Sequence, residues 1–242
     1  MSPNLSELRK LTTLRLPWVL LSVAVLMSAV VGAVNVHELG DVTEASYADV
    51  GLAATQPAWF LLVVAAVLAA AGEFQHRTVV TTLLATPNRV SVLASKAAVA
   101  TGFGAVLTTT AIATSVASGA VTAAVDGLTI HGGGVDQWWA VAGAVVVGGL
   151  WAVMASALGL LTRSTAVALT AVLLWKFVLE GLVPVVLRHP GFSDWTPSGA
   201  ASAVVSAHGG GPSPALGALV LVGYALATCV AAGVTFVGRD PV

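Results

Sequence analysis

Long apolar stretches alternate with short polar segments along this chain of 242 residues. Six windows are apolar and, apart from the fifth, free of acidic and basic residues: 16–34, 57–72, 97–124, 137–162, 164–187 and 214–238. A helix needs about 20 mostly apolar residues to cross the hydrocarbon core of a bilayer. The pattern therefore predicts an all-α polytopic membrane protein with six transmembrane helices. Residues 1–242 form a single membrane domain in this interpretation, because the remaining segments are too short for a soluble one.

The composition excludes the other broad classes of protein. The chain is 57% hydrophobic and 9% charged, whereas soluble domains carry about 25% charged residues. A soluble domain of this size needs more charged residues on its solvent-exposed surface. A disordered chain is excluded as well, because disordered chains are much less apolar than this one. The net charge of −1 gives no electrostatic reason to bind nucleic acid.

The first apolar window has two interpretations. Arg9, Lys10 and Arg15 form a basic leader, and residues 31–33 loosely resemble a cleavage site, as in a secretory signal peptide. The window is longer, however, than the roughly 7–15 apolar residues of such a peptide, and further apolar windows follow it. These observations favour a retained membrane anchor.

Basic residues are concentrated in alternate connecting segments. If the N-terminus is cytoplasmic, the basic residues on the cytoplasmic side are Arg9, Lys10, Arg15, Arg77, Arg89, Lys96, Arg163 and Arg239. Enrichment of Lys and Arg in cytoplasmic loops is the rule that sets orientation in the membrane. Trp59, Trp138 and Trp139 then fall at the outer ends of helices, where indole rings favour the interface. We therefore expect both termini in the cytoplasm.

The inner segment between the second and third windows predicts a short amphipathic helix. Glu73 and Arg77 are four residues apart in the order that favours pairing on one helix face. Apolar residues between positions 79 and 84 form a stripe, and Pro87 ends the helix because the residue before proline avoids the helical region. The pattern favours a helix that contacts a partner, and an ordinary connecting loop is the alternative.

Two charged residues lie inside the fifth window. A charge near the centre of a bilayer costs at least about 2.5–3.5 kcal/mol, so Lys176 and Glu180 need a reason to be there. Four residues apart on one helix, they can neutralise each other. They line a polar translocation cavity in the functional interpretation. In the structural interpretation the two residues pair only to stabilise helix packing, or Lys176 extends its side chain towards the membrane–water interface.

Three further patterns concern helices. Leucines at three-residue spacing among basic residues over 5–16 suit a helix that lies in the cytoplasmic interface. Residues 200–207, in an outer segment rich in proline, form either a short re-entrant helix or part of an ordinary outer loop. Small residues recur every four positions in the fourth window, which lets another helix approach closely: Ala140, Ala144, Gly148, Ala152 and Ser156.

The sequence contains no motif for catalysis or for nucleotide binding. It lacks the phosphate-binding loop, the His-Glu-x-x-His zinc motif and the Gly-x-Ser-x-Gly nucleophile elbow. The single cysteine, Cys229, cannot form an intramolecular disulfide. We therefore expect neither an enzyme nor a chain that binds a metal or cofactor itself.

The inner segment also carries a family resemblance. It reads Glu73-Phe-Gln-His-Arg-Thr, then Thr82-Leu-Leu-Ala-Thr-Pro-Asn-Arg89, with Lys96 further along. In this order the motifs resemble those of bacterial ABC-2 type transporter permeases, especially actinobacterial ones. Residues 6–15, 157–164 and 236–240 are similar to the family pattern as well, so the resemblance extends over most of the chain. Lys176 departs from the mostly apolar family pattern.

The resemblance implies a permease subunit that works with a second permease, identical or related, and with two separate ATPase subunits. These subunits would bind ATP and Mg²⁺ and drive export of a hydrophobic or amphipathic small molecule across the bacterial cell membrane. Residues 5–16 would be the connecting helix, and the segment after the fifth span a re-entrant lid. The residues of the helix that couples to the ATPase would be Glu73, Phe74, His76, Arg77, Thr78, Thr82, Thr86, Pro87 and Arg89.

Two other functions stay open from the sequence. One is a binding or immunity protein that keeps the permease scaffold in the lipid membrane without ATP-driven transport. The other is an ion-coupled carrier that uses Lys176 and Glu180. Transport driven by a proton gradient without ATP would favour the carrier.

Overall fold

The structure is a computed structural model of the chain. It describes residues 15–39, 46–75, 89–206 and 212–238. The predicted connecting helix over 5–16 therefore lies outside the described residues, except for its last two positions at the start of the first helix. The central part of the predicted coupling segment, residues 76–88, also lies outside them.

The described part of the chain folds into helices. They are α1 (Arg15–Leu39), α2 (Tyr47–Ala53), α3 (Thr55–Gln75), α4 (Arg89–Asp126), α5 (Val135–Thr162), α6 (Thr165–Leu174), α7 (Glu180–Val186), α8 (Pro197–Val205) and α9 (Pro214–Gly238). A π-helical segment, Trp175–Leu179, joins α6 to α7, and a 3-10 helix, Pro190–Trp195, precedes α8. Within the described residues, six helical stretches are long and apolar enough to cross a membrane. This confirms the prediction of an all-helical chain with six such stretches.

The third of these stretches is longer than its apolar window. Helix α4 has 38 residues, which corresponds to about 57 Å at 1.5 Å per residue. This is nearly twice the thickness of a hydrocarbon core, so α4 must tilt or extend beyond it. The apolar window begins at residue 97, directly after the charged Lys96. The helix includes Lys96, whose ammonium group is buried in an ion pair with Glu73.

Consecutive long helices run in opposite directions, which gives the bundle two chemically different ends. At one end, here called the basic end, Glu73 contacts Lys96 and Arg163 lies over Phe74. At the other, the acidic end, the backbone N–H of Tyr47 donates to the carbonyl of His131. His37 contacts Asp126 there, and the side-chain amide of Gln137 donates to Asp49.

Helix α5 forms the centre of the bundle. It contacts α3, α4, α8 and α9, and 67% of its apolar window is buried, more than in any other of the six stretches described. The small residues that recur every four positions along it are all buried. Gly148, in the middle of this row, faces Thr108 of α4. The row therefore lets two helices approach closely, as its spacing predicts.

The segment expected as a re-entrant helix or an outer loop contains helix α8. The hydroxyl of Thr196 caps its first turn by accepting from the N–H of Gly199. Pro197, Ala200 and Ala203 are buried, and the helix packs on α5 and α9. This segment is therefore part of the packed bundle.

Candidate functional site

A cavity of about 300 Å³ lies between α3, α4, α5, α8 and the π-helical segment. Its walls include Trp59, Thr108, Trp151, Lys176 and Ser198. We call it the Lys176 cavity. Helix α8 lines it with one complete face, because its contributing residues are spaced by three and four positions: Ser198, Ala201, Ser202, Val205 and, just after the helix, Ser206.

The ammonium group of Lys176 has both a hydroxyl and aromatic partners. Its Nζ donates to the Oγ of Ser198 at 2.6 Å. It also lies 4.9 Å from the ring centroid of Trp59 and 5.9 Å from that of Trp151. The two indoles pack edge to face, with centroids 5.2 Å apart. A cation over an indole ring is stabilised by about 0.5–2 kcal/mol, so these rings offset part of the cost of placing the charge here.

The carboxylate of Glu180 has a different environment. Its Oε1 accepts from the Nε1 of Trp175 and from the backbone N–H of Ser198, both at 3.1 Å. Ser198 stands in the first turn of α8, where the helix dipole favours a negative charge. Glu180 is not among the residues that line the cavity. It holds the beginning of α8 against α7.

The π-helical segment lies between the two charged residues and carries Lys176. Its backbone hydrogen bonds join residues five apart, as from the N–H of Glu180 to the carbonyl of Trp175. Glu180 accordingly bonds to Trp175, five residues before it. Between these two described charges the connection runs through Ser198, whose hydroxyl accepts from Lys176 and whose N–H donates to Glu180. The two charges therefore attract each other, and the hydrogen bonds that link them run through Ser198.

A second group of side chains connects the helices at the basic end. The Nζ of Lys96 lies 2.7 Å from the Oε1 of Glu73, and these side chains are only 6% and 10% exposed. The guanidinium of Arg163 lies 5.3 Å from the ring centroid of Phe74, which packs edge to face on Phe236. We call these five residues the basic-end cluster. It joins α3, α4 and α9 with the residue that follows α5.

The residues predicted to couple to an ATPase are only partly described. Glu73 and Phe74 belong to the basic-end cluster, and Arg89 begins α4. The others lie outside the described residues: His76, Arg77, Thr78, Thr82, Thr86 and Pro87. The pairing of Glu73 with Arg77 therefore stays a prediction. The sequence did not predict the contact of Glu73 with Lys96, which lies 23 positions further along the chain.

Three residues of the Lys176 cavity were also missed. Trp59 was expected at a membrane interface, yet its ring forms part of the cavity wall. Trp151 lies in the middle of an apolar window, and a tryptophan so far from either end was a usable indication of an internal site. Ser198 had no such indication, because its role depends on how α8 packs.

The described residues contain no group of three or more His, Cys, Asp or Glu that could hold a metal ion. Comparison with known proteins gives no match to a protein-family model, to a curated protein or to a solved structure.

Proposed function

We propose that this chain is the permease subunit of a bacterial ABC-2 type transporter in the cell membrane, with both termini in the cytoplasm. Two separate ATPase subunits bind and hydrolyse ATP, and a second permease, identical or related, completes the complex. The transported compound is hydrophobic or amphipathic and is exported. The proposal is supported by the motif resemblance, by the six membrane-length helices and by the distribution of charge between the two ends of the bundle.

The observation that carries the proposal is the buried ion pair between Glu73 and Lys96. These residues stand near the end of α3 and near the beginning of α4, so the pair joins the two helices that flank residues 76–88. A subunit that pushes on this intervening segment then displaces both helices together. The two helices must move as a rigid unit if a displacement at the cytoplasmic end is to change the packing around a cavity inside the bundle.

In this proposal the movement of α3 and α4 changes the shape of the Lys176 cavity, because both helices line it. It lies beside α8 and reaches the residues that begin α3 near the acidic end, Thr55 and Gln56. The proposed orientation makes the acidic end the outer one, so a compound in the cavity is close to the exit side.

A first test is co-purification followed by transport into vesicles. The chain should co-purify with an ATPase subunit encoded beside its gene, and the reconstituted complex should transport only when ATP is present. Failure to bind any ATPase would contradict the proposal and favour the binding or immunity protein. Uptake that follows a proton gradient without ATP would favour an ion-coupled carrier that uses Lys176 and Glu180.

We predict that replacing Arg77 with alanine lowers the transport-coupled ATPase rate at least tenfold, a loss of about 1.4 kcal/mol in coupling free energy. The physical reason is loss of a cation from the segment proposed to contact the ATPase. The measurement compares ATP hydrolysis by the assembled complex with and without this substitution. Arg188→Ala removes an exposed cation at the other end of the bundle and should leave the rate unchanged. Equal rates for the two variants would contradict the prediction.

A further inference from the structure

We propose that the Lys176 cavity binds the anionic group, a carboxylate or a phosphate, of a small amphipathic compound. This assigns a chemical class to the cargo and to that extent rests on the proposed function. The binding itself is a property of the chain alone and needs no ATPase.

The charge on the cavity wall is the first reason. Among the described residues that line the cavity, Lys176 carries the only formal charge, so the wall is cationic. The carboxylate that belongs to this region, Glu180, is turned to the backbone of Ser198 and the indole of Trp175. This carboxylate is close enough to attract Lys176, but it does not line the cavity, so an incoming anion meets the ammonium group first.

The hydrogen-bonding capacity of Lys176 is the second reason. An ammonium group has three donor hydrogens, and the Oγ of Ser198 accepts one of them at 2.6 Å. The other observed partners are the faces of Trp59 and Trp151, which attract a positive charge but are weaker acceptors than a carboxylate oxygen. The buried N–H of Trp59 finds no acceptor among the described residues. This wall therefore has more donors than its own groups use.

The shape of the cavity defines the rest of the ligand. Its face of α8 runs from Ser198 to Ser206, which corresponds to about 12 Å at 1.5 Å per residue. Apolar side chains lie along this length, among them Val147 and Val205. A volume of about 300 Å³ is at the lower limit of ligand pockets, which span about 300–1,000 Å³. The ligand is therefore a single-chain compound with one anionic end, placed beside Lys176.

The test uses four probes that share an eight-carbon chain and differ only at the head: octanoate, octyl phosphate, octylammonium and octanol. Equilibrium dialysis against the purified full chain in zwitterionic lipid nanodiscs measures binding, and empty nanodiscs correct for partition into lipid. We expect at least one of the two anions to bind ten or more times tighter than both octanol and octylammonium. The tighter anion identifies the headgroup as carboxylate or phosphate. Equal binding of octanol, or tighter binding of octylammonium, would overturn the proposal.

Two substitutions of Lys176 test its role. Lys176→Met should lower the affinity for the preferred anion at least tenfold, to the level of octanol, while Lys176→Arg should keep the preference for an anion. Arg188→Gln is the matched control, because it removes an exposed cation outside the cavity. Undiminished anion binding by the Lys176→Met chain would overturn the proposal. Should that variant fail to fold, the headgroup preference of the unmodified chain still decides the question.

Failure of this proposal is distinguishable from failure of the proposed function. An anion site on a chain that binds no ATPase would refute the ABC-2 assignment alone. A chain that couples to an ATPase but shows no preference for an anion would refute the cargo class alone.

Discussion

Replacing Lys96 with methionine is expected to lower the free energy of unfolding by about 3–5 kcal/mol, the usual cost of removing one partner of a buried ion pair. The methionine fills nearly the same space, but it removes the ammonium group that lies 2.7 Å from the carboxylate of Glu73, which is only 10% exposed. The expected decrease in the free energy of unfolding therefore comes from electrostatics and not from a change in side-chain volume. Denaturant-induced unfolding of the purified chain in detergent, followed by circular dichroism, measures it.

The double substitution Glu73→Met/Lys96→Met is the matched control. It removes both charges together, and an apolar pair of similar volume is often as stable as the ion pair it replaces. We expect the double variant to regain most of the stability lost in Lys96→Met. If Lys96→Met alone were as stable as the unmodified chain, the pair could not join α3 to α4 in the way that the proposed coupling requires.

The six membrane-length helices could be predicted because burial in lipid is a property of each segment by itself. Residues 214–238, for example, form a helix with the same bounds as the apolar window, since no charge interrupts it and Pro214 begins it. The row of small residues on α5 was equally readable, because its four-residue spacing depends only on helix geometry. Local rules sufficed for both features.

The candidate site could be predicted only in part, because it depends on contacts between segments distant in sequence. Lys176 was visible as a costly charge, but its partner Ser198 is 22 positions further along the chain. Lys96 looked like the edge of a membrane span, and only the approach of α3 reveals it as an internal helix residue paired with Glu73. The π-helical segment cannot be read from patterns of period 3.6 either, and Trp175 at its start is the residue whose indole donates to Glu180.

Replacing Gly104 with alanine is expected to lower the free energy of unfolding by about 1–3 kcal/mol, the range for forcing an extra carbon into a packed interior. A Cβ at this position would lie 2.6 Å from the carbonyl oxygen of Gly148 and 2.8 Å from the Cβ of Ala152. Both obstacles are fixed to the backbone of α5, so neither can rotate away. Helix α4 must therefore move outward. The same unfolding measurement in detergent applies.

Gly102 provides the control on the same helix, two residues earlier. A Cβ there would meet nothing within 4 Å, so Gly102→Ala should be neutral or should stabilise the chain by about 0.5–1 kcal/mol through the better helix propensity of alanine. Gly104→Ala should also weaken anion binding, since Thr108 and Gly148 line the Lys176 cavity at the interface being separated. Equal stability of the two alanine variants would contradict the close packing of α4 on α5. A destabilised Gly104→Ala chain with unchanged affinity for the preferred anion would show instead that this interface supports the fold without shaping the cavity.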